Sequence, residues 1–170
     1  MNASKGNYAY KWMASPVGKL KLVASDKGLA AILWENDDPK RVRLGPLVED
    51  AAHPVLRAAE AQLNEYFAGK RKTFSVALDA AGTPFQRKVW RALSEIPFSE
   101  IRSYGQLAAQ IGHAKAARAV GAANGKNPIS IIVPCHRVIG VSGKLTGFAG
   151  GLETKAALLA LERGGEALAG

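Results

Sequence analysis

Ser103-Tyr104-Gly105-Gln106-Leu107-Ala108-Ala109-Gln110-Ile111-Gly112-His113-Ala114-Lys115-Ala116-Ala117-Arg118-Ala119-Val120-Gly121-Ala122-Ala123-Asn124 decides how the second half of this chain folds. Ser103 with Gln106 three residues later forms a capping box that opens a short helix through Ile111, and Gly112 ends it. A second helical stretch follows from Lys115 to about Asn124, and its start is unusually small: Ala116, Ala117 and Ala119 surround Arg118. Two short helices joined by a glycine-containing turn predict a helix-turn-helix. Small residues let the second helix approach a nucleic-acid groove closely while one long cation reaches in. An alanine-rich packing helix gives the same pattern, so the segment alone leaves both readings open.

Upstream, Thr83-Pro84-Phe85-Gln86 is another capping box with proline at the first helical position, and Phe85, Val89, Leu93 and Ile96 follow on one face until Pro97. Ala80-Ala81-Gly82 marks a boundary between two lobes, residues 1–80 and 83–170. The first lobe reads as an antiparallel meander: Lys19-Leu20-Lys21-Leu22-Val23 alternates charged and apolar residues, and an Asp26-Lys27-Gly28 turn leads into Leu29-Ala30-Ala31-Ile32-Leu33. A helix then starts near Pro54, carries Val55, Ala59, Leu63 and Tyr66/Phe67, and stops at Gly69 before a solvated basic cluster, Lys70-Arg71-Lys72. The expected class is α+β, a small antiparallel sheet with a helix followed by a mostly helical domain.

Downstream, the apolar run Ile129-Ser130-Ile131-Ile132-Val133 delivers the only cysteine of the chain within Pro134-Cys135-His136-Arg137-Val138. A lone thiol makes no internal disulfide, so it serves either reactivity or packing. Two neighbours able to carry positive charge favour reactivity, because nearby cations raise the thiolate fraction. Side chains of adjacent residues point apart, so His136 needs a bridging water to take the Cys135 proton. The last helix, Leu152 to about Arg163, presents Leu152, Ala156 and Leu158/Leu159 as its apolar stripe and puts Glu162 on or beside it. A carboxylate there requires a partner. It either reaches solvent or a loop amide, or it accepts a hydrogen bond from His136 and orients the ring toward Cys135. The clusters Gly140-Val141-Ser142-Gly143 and Gly147-Phe148-Ala149-Gly150-Gly151 fit neither a phosphate loop nor a dinucleotide fingerprint, and read as a flexible loop near the cysteine.

Composition narrows the class further. A hydrophobic content of 48% over 170 residues supports a packed core. No stretch approaches a membrane span and no apolar leader follows Met1, so a cytoplasmic location is expected, in agreement with an unpaired thiol. One cysteine excludes a multi-thiolate zinc site. The net charge of +9 points to a polyanionic partner. It is uneven: 12 Lys and Arg stand against 9 Asp and Glu before residue 83, and 11 against 5 after it, so the second half is the expected phosphate-facing surface.

Taken with Asn127-Pro128-Ile129 and Val138-Ile139-Gly140, these motifs resemble, in order and from Thr83 to Glu162, those of the bacterial O6-alkylguanine-DNA alkyltransferases. The resemblance implies a ribonuclease-H-like first lobe, a winged-helix-like second domain, and a partner that is double-stranded DNA carrying O6-alkylguanine. It implies that Cys135 accepts the alkyl group, that His136 and Glu162 form the water-linked relay, and that Asn127 ties the recognition helix to the active-site loop. By the same resemblance Tyr104 promotes nucleotide rotation and donates a proton to the departing guanine, while Arg118 fills the vacated stack beside Ala116 and Ala117. The backbone at Cys135 and Val138 would read the guanine edge, and Phe148 and Ala149 would wall the pocket, with the Ala149 amide near O6. Extruding the base makes physical sense, since the target atom is inside a duplex.

The chain departs from many relatives at Phe148, where tyrosine is common, at Ala149, where some have serine, and at Ala157, where an aromatic is frequent. These bear on lesion preference and local packing. The cysteines of the zinc site some relatives carry in the first lobe are missing, and no additional phosphotriester-accepting domain is expected. Alkyl transfer to sulfur gives a thioether that water does not displace, so the protein is expected to act once, with no cofactor, metal, methyl donor or nucleotide. A monomer is expected, with cooperativity on DNA and action on O4-alkylthymine left open. Two other classes compete: a non-catalytic alkylated-base-binding protein that recruits other repair factors, and a helix-turn-helix regulator, for which the alanine face offers few base-reading side chains.

Overall fold

The computed structural model describes residues 8–140 and 147–164. Strands β1 (Tyr8–Met13), β2 (Leu20–Ala24) and β3 (Leu29–Trp34) form the expected antiparallel meander. The sheet is nevertheless mixed, in the order β3-β2-β1-β4, because β4 (Leu47–Glu49) pairs in parallel with β1. That corrects the expectation of a purely antiparallel sheet. Three residues with two exposed side chains have no alternation to read, and only the long connection from β3 allows the parallel approach. Helix α1 (Pro54–Phe67) buries Leu56, Ala59, Leu63, Tyr66 and Phe67.

Helix α2 (Pro84–Ser94) starts at the Thr83–Gln86 capping box and buries Trp90 as well as Val89 and Leu93; the Trp90 indole donates to the Ala123 carbonyl at 2.8 Å. After the two-residue strand β5 (Arg102–Ser103), helix α3 (Tyr104–Gln110) begins at the Ser103–Gln106 capping box. Gly112, at φ +79°, closes it: its N–H donates to Ala109 and that of His113 to Ala108, which satisfies two terminal carbonyls through a left-handed residue. Helix α4 (Ala117–Gly125) begins two residues later than the sequence pattern suggests, because Ala114 and Lys115 lie in a turn closed by the Ala116 N–H on the His113 carbonyl at 2.8 Å and Ala116 is the N-cap. The helix-turn-helix reading holds.

A 3-10 turn (Cys135–Arg137) leads into β6 (Val138–Ile139), which pairs in parallel with β5. This ribbon seats the start of α3 beside the cysteine turn. Helix α5 (Leu152–Gly164) is rotated from its expected stripe: Leu152 and Ala156 are exposed, whereas Lys155, Leu158, Leu159, Leu161 and Glu162 are buried. The core is continuous across both halves, from Met13 and Leu20 in the sheet to Leu158 and Leu161 in α5. The edge of β3 is covered from the helical side, where the Ile32 N–H donates to the Pro128 carbonyl at 2.8 Å.

Candidate active site

Cys135 is 5% exposed at the start of its 3-10 turn. Its N–H donates to Val133, and its carbonyl accepts the Val138 N–H, so the backbone on both sides is fixed. Before it, Ile131 is held at φ +74°, a conformation that costs a β-branched residue on the order of 1–3 kcal/mol. Burial of the Ile131 side chain and the Val133-to-Ile129 hydrogen bond offset this. Asn127 lies just past the end of α4, fully buried, and ties the helix to the cysteine loop: Nδ2 donates to the Val133 carbonyl at 2.9 Å and Oδ1 accepts the Ile129 N–H at 3.0 Å.

His136 is fully buried, with Nε2 2.7 Å from Glu162 Oε2. Because the carboxylate accepts, Nε2 carries the proton and Nδ1 is left as the basic nitrogen. Among the described residues Nδ1 has no hydrogen-bond partner. Glu162 reaches from α5 and is surrounded by donors. Besides His136 it accepts from Arg137 Nε at 2.7 Å, Arg137 Nη2 at 3.1 Å, the Tyr66 hydroxyl at 2.6 Å and the Ser99 N–H at 3.3 Å. Burial pushes this carboxyl up, but the hydrogen bonds from His136 and Arg137 outweigh it and hold the group at about 2. Burial pushes the His136 imidazole down more than Glu162 raises it, so the resting ring is neutral beside an anion.

The thiol does not behave as the charged flanking residues suggest. Burial raises its pKa, and this outweighs a hydrogen bond with Asn127 and the charges of Arg41 and Lys155. Arg137 does not serve as the expected cation, since its guanidinium is committed to Glu162 and to the Ile96 carbonyl. At rest Cys135 is therefore a protonated thiol, and its activation depends on moving that proton. Arg41 makes a bidentate pair with Asp37 and donates Nη1 to the carbonyls of Gly125 and Asn127, at 3.2 and 2.8 Å. Lys155 is fully buried and donates to the Val138 carbonyl at 2.6 Å. Spacing could have found Lys155, which falls three residues before Leu158 and seven before Glu162 on one helical face. No local signal marks Arg41.

The structure brings Cys135, His136, Asn127, Val138 and Glu162 into one buried cluster. Tyr104 opens α3, half-buried, with its ring against Gly121 of α4. Ala116 and Ala117 are half-buried at the start of α4, and Arg118 is exposed beside them. Phe148 packs edge-on against Trp34 at 5.5 Å, Ala149 is exposed, and Gly150 lies so close to Trp34 that a Cβ would stand 2.7 Å from the indole. Trp34 also donates to Ser130 of the cysteine loop at 3.2 Å, so one indole supports both walls. Val141, Ser142 and Gly143 of the glycine-rich loop lie outside the described residues. Among the described residues no group of three or more His, Cys, Asp or Glu side chains converges as a metal site would require.

Two family models match the chain: the ribonuclease-like domain of 6-O-methylguanine DNA methyltransferase over residues 8–80, and the DNA-binding domain of the same enzyme over residues 84–164. A methylated-DNA–protein-cysteine methyltransferase of Mycolicibacterium paratuberculosis is 51% identical over 154 residues, covering 91% of this chain and 92% of its own. The constitutive enzyme of that name from Bacillus subtilis is 47% identical over 161 residues, covering 92% and 96%. A crystal structure of the Mycobacterium tuberculosis protein OGT in complex with DNA superposes with a TM-score of 0.84 at 47% identity, covering 94% of each chain. The chain thus belongs to the 6-O-methylguanine DNA methyltransferase family, also named methylated-DNA–protein-cysteine methyltransferases.

Proposed function

We propose that this protein repairs DNA by direct reversal, moving the alkyl group of O6-alkylguanine in double-stranded DNA to Cys135 in a single irreversible turnover. One observation carries the reading: a buried thiol shares its turn with an imidazole whose Nε2 is committed to Glu162, leaving Nδ1 as an open base. A water bridging Sγ and Nδ1 passes the thiol proton to His136, and Glu162 stabilises the imidazolium that forms. The thiolate attacks the alkyl carbon, the S–C bond forms and the C–O6 bond breaks. Its electron pair goes to the guanine, which takes a proton from the Tyr104 hydroxyl, and Tyr104 recovers one from solvent. Asn127 holds the cysteine loop to the end of α4.

The recognition surface follows from the same placement. The start of α4 enters a groove with Ala116 and Ala117 against the backbone, and the exposed Arg118 occupies the space the extruded nucleotide leaves. The backbone at Cys135 and Val138 reads the guanine edge, and Phe148 and Ala149 wall the pocket. Residues 1–80 and 83–170 act as two lobes, the second carrying DNA and acceptor. The retained cysteine disfavours the non-catalytic alternative. Among the described residues no helix is long and apolar enough to cross a membrane, and a thiol kept reduced suits the cytoplasm.

The deciding experiment mixes the protein with a duplex containing one O6-methylguanine and reads the Cys135 peptide by mass spectrometry. One methyl on that peptide per protein is expected. An unmodified peptide after saturating incubation would overturn the reading.

A further inference from the structure

Glu162 is held in part from outside the helical domain. The Tyr66 hydroxyl belongs to α1, 96 residues away in sequence, and meets Oε2, the same oxygen that receives His136 Nε2. The phenol is 1% exposed, and its ring is fixed by Phe67 and Phe74 from its own side and by Phe98 from the other, with centroids 5.4, 5.6 and 6.4 Å away. The Arg137 guanidinium stands 5.7 Å from the Phe98 ring, so Tyr66, Phe98, Arg137 and Glu162 form one packed unit.

We propose that Tyr66 is a positioning residue for the proton relay: its hydroxyl holds Glu162 against His136, so the sheet lobe, which supplies no group to the reaction, sets the reactivity of Cys135. Two features support the assignment. Burial and the neighbouring carboxylate both push the Tyr66 phenol up, so it stays protonated and can only donate to Glu162. Three donors meet at Oε2, and of these the Tyr66 hydroxyl at 2.6 Å and His136 Nε2 at 2.7 Å are shorter than Arg137 Nη2 at 3.1 Å, so Tyr66 adds to the Arg137 fork a second close restraint on how the carboxylate turns toward the imidazole. A correctly turned Glu162 keeps the proton on His136 Nε2 and Nδ1 free, the tautomer the relay requires.

The inference rests on the direct-reversal reading, and the test separates the two. Full-length protein with Tyr66→Phe, which keeps the ring, is compared with the parent for methyl transfer from saturating O6-methylguanine duplex, for duplex affinity, and for the ¹⁵N shifts of the His136 imidazole. Transfer should slow roughly tenfold, the scale on which groups orienting a functional imidazole act, while affinity stays unchanged and a second His136 tautomer appears. In a Glu162→Gln background Tyr66→Phe should cost little more, because the two act as one unit. An unaltered rate and a single tautomer, or an equal slowing with Glu162→Gln present, would overturn the proposal. If Tyr66→Phe does not fold, fluorotyrosine at position 66 keeps the shape and strengthens the donor, and a rate and ¹⁵N spectrum identical to tyrosine would again overturn it. Failure of the parent to take up methyl at all would instead refute the repair reading.

Discussion

His136 and Glu162 meet through Nε2 and Oε2 at 2.7 Å, with both side chains closed off from solvent. The pair is not isolated, because Arg137 supplies the counter-charge that lets Glu162 remain an anion inside the core. Three groups therefore share one net neutral charge while the ring is unprotonated. When the ring takes the thiol proton, Glu162 is already in place to receive the new cation, and no solvent reorganisation is required.

Glu162→Gln removes that anion and leaves Arg137 as a buried charge without its carboxylate. Breaking a buried pair in this way is expected to cost about 3 kcal/mol of stability, read from the urea midpoint at constant slope. Transfer to Cys135 should fall roughly 10- to 100-fold, as imidazoles deprived of an orienting carboxylate do. A variant as fast as the parent would remove Glu162 from the relay.

The same cluster makes the fold acid-sensitive. Both His136 and Glu162 have folded pKa values below their usual ones, so the folded state binds fewer protons than the unfolded state and stability rises with pH. The His136 contribution is complete above its usual value of 6.5 and fades as pH falls below it. The Glu162 contribution, on the order of 3 kcal/mol for a shift from 4.5 to about 2, is lost as pH falls through that interval. Denaturant midpoints taken from about pH 7 to about pH 3 should fall steadily, and the lower part of that slope should flatten in Glu162→Gln. A pH-independent midpoint would contradict the charge state assigned to the pair.

What the sequence made legible is what neighbouring residues decide. The capping boxes at Thr83 and Ser103 and the left-handed Gly112 are local devices, and each helix end they mark is where the structure has it. Glu162 was legible because helical spacing forces it beside Leu158 and Leu159 and a buried carboxylate demands donors. Tyr66 and the reach of Arg41 to the cysteine side were not, since Glu162 and Asn127 lie 96 and 86 positions away and the local Asp37–Arg41 pair gives no hint of the second contact. Strand β4 escaped for a related reason: a three-residue parallel edge owes its form to β1 rather than to its own residues. The thiol was misjudged by adjacency, because a cation next in sequence is not a cation next in space.

Cys135→Ala tests whether the thiol has a purely chemical role. The side chain is small and buried, and its loss leaves Asn127 with its two backbone hydrogen bonds. Transfer should be undetectable, while affinity for a lesion-containing duplex stays within about threefold and stability within about 1 kcal/mol of the parent. Parallel loss of binding and stability would assign the cysteine to packing.

Arg118→Ala isolates the extrusion step from the chemistry. Arg118 is exposed at the second residue of α4, and no hydrogen bond ties the relay residues Glu162 and His136 to it. If its side chain fills the stack that the rotated nucleotide vacates, losing it costs about 1–3 kcal/mol of stacking, or roughly 5- to 150-fold in transfer from duplex DNA. Free O6-benzylguanine needs no extrusion, so its reaction with Cys135 should change by less than about twofold, within the usual reach of a surface substitution. The ratio of the two rates is the readout. Equal loss on both substrates would place Arg118 in the folding of α4 or in the pocket itself, and equal retention would mean that another side chain holds the gap in the stack open.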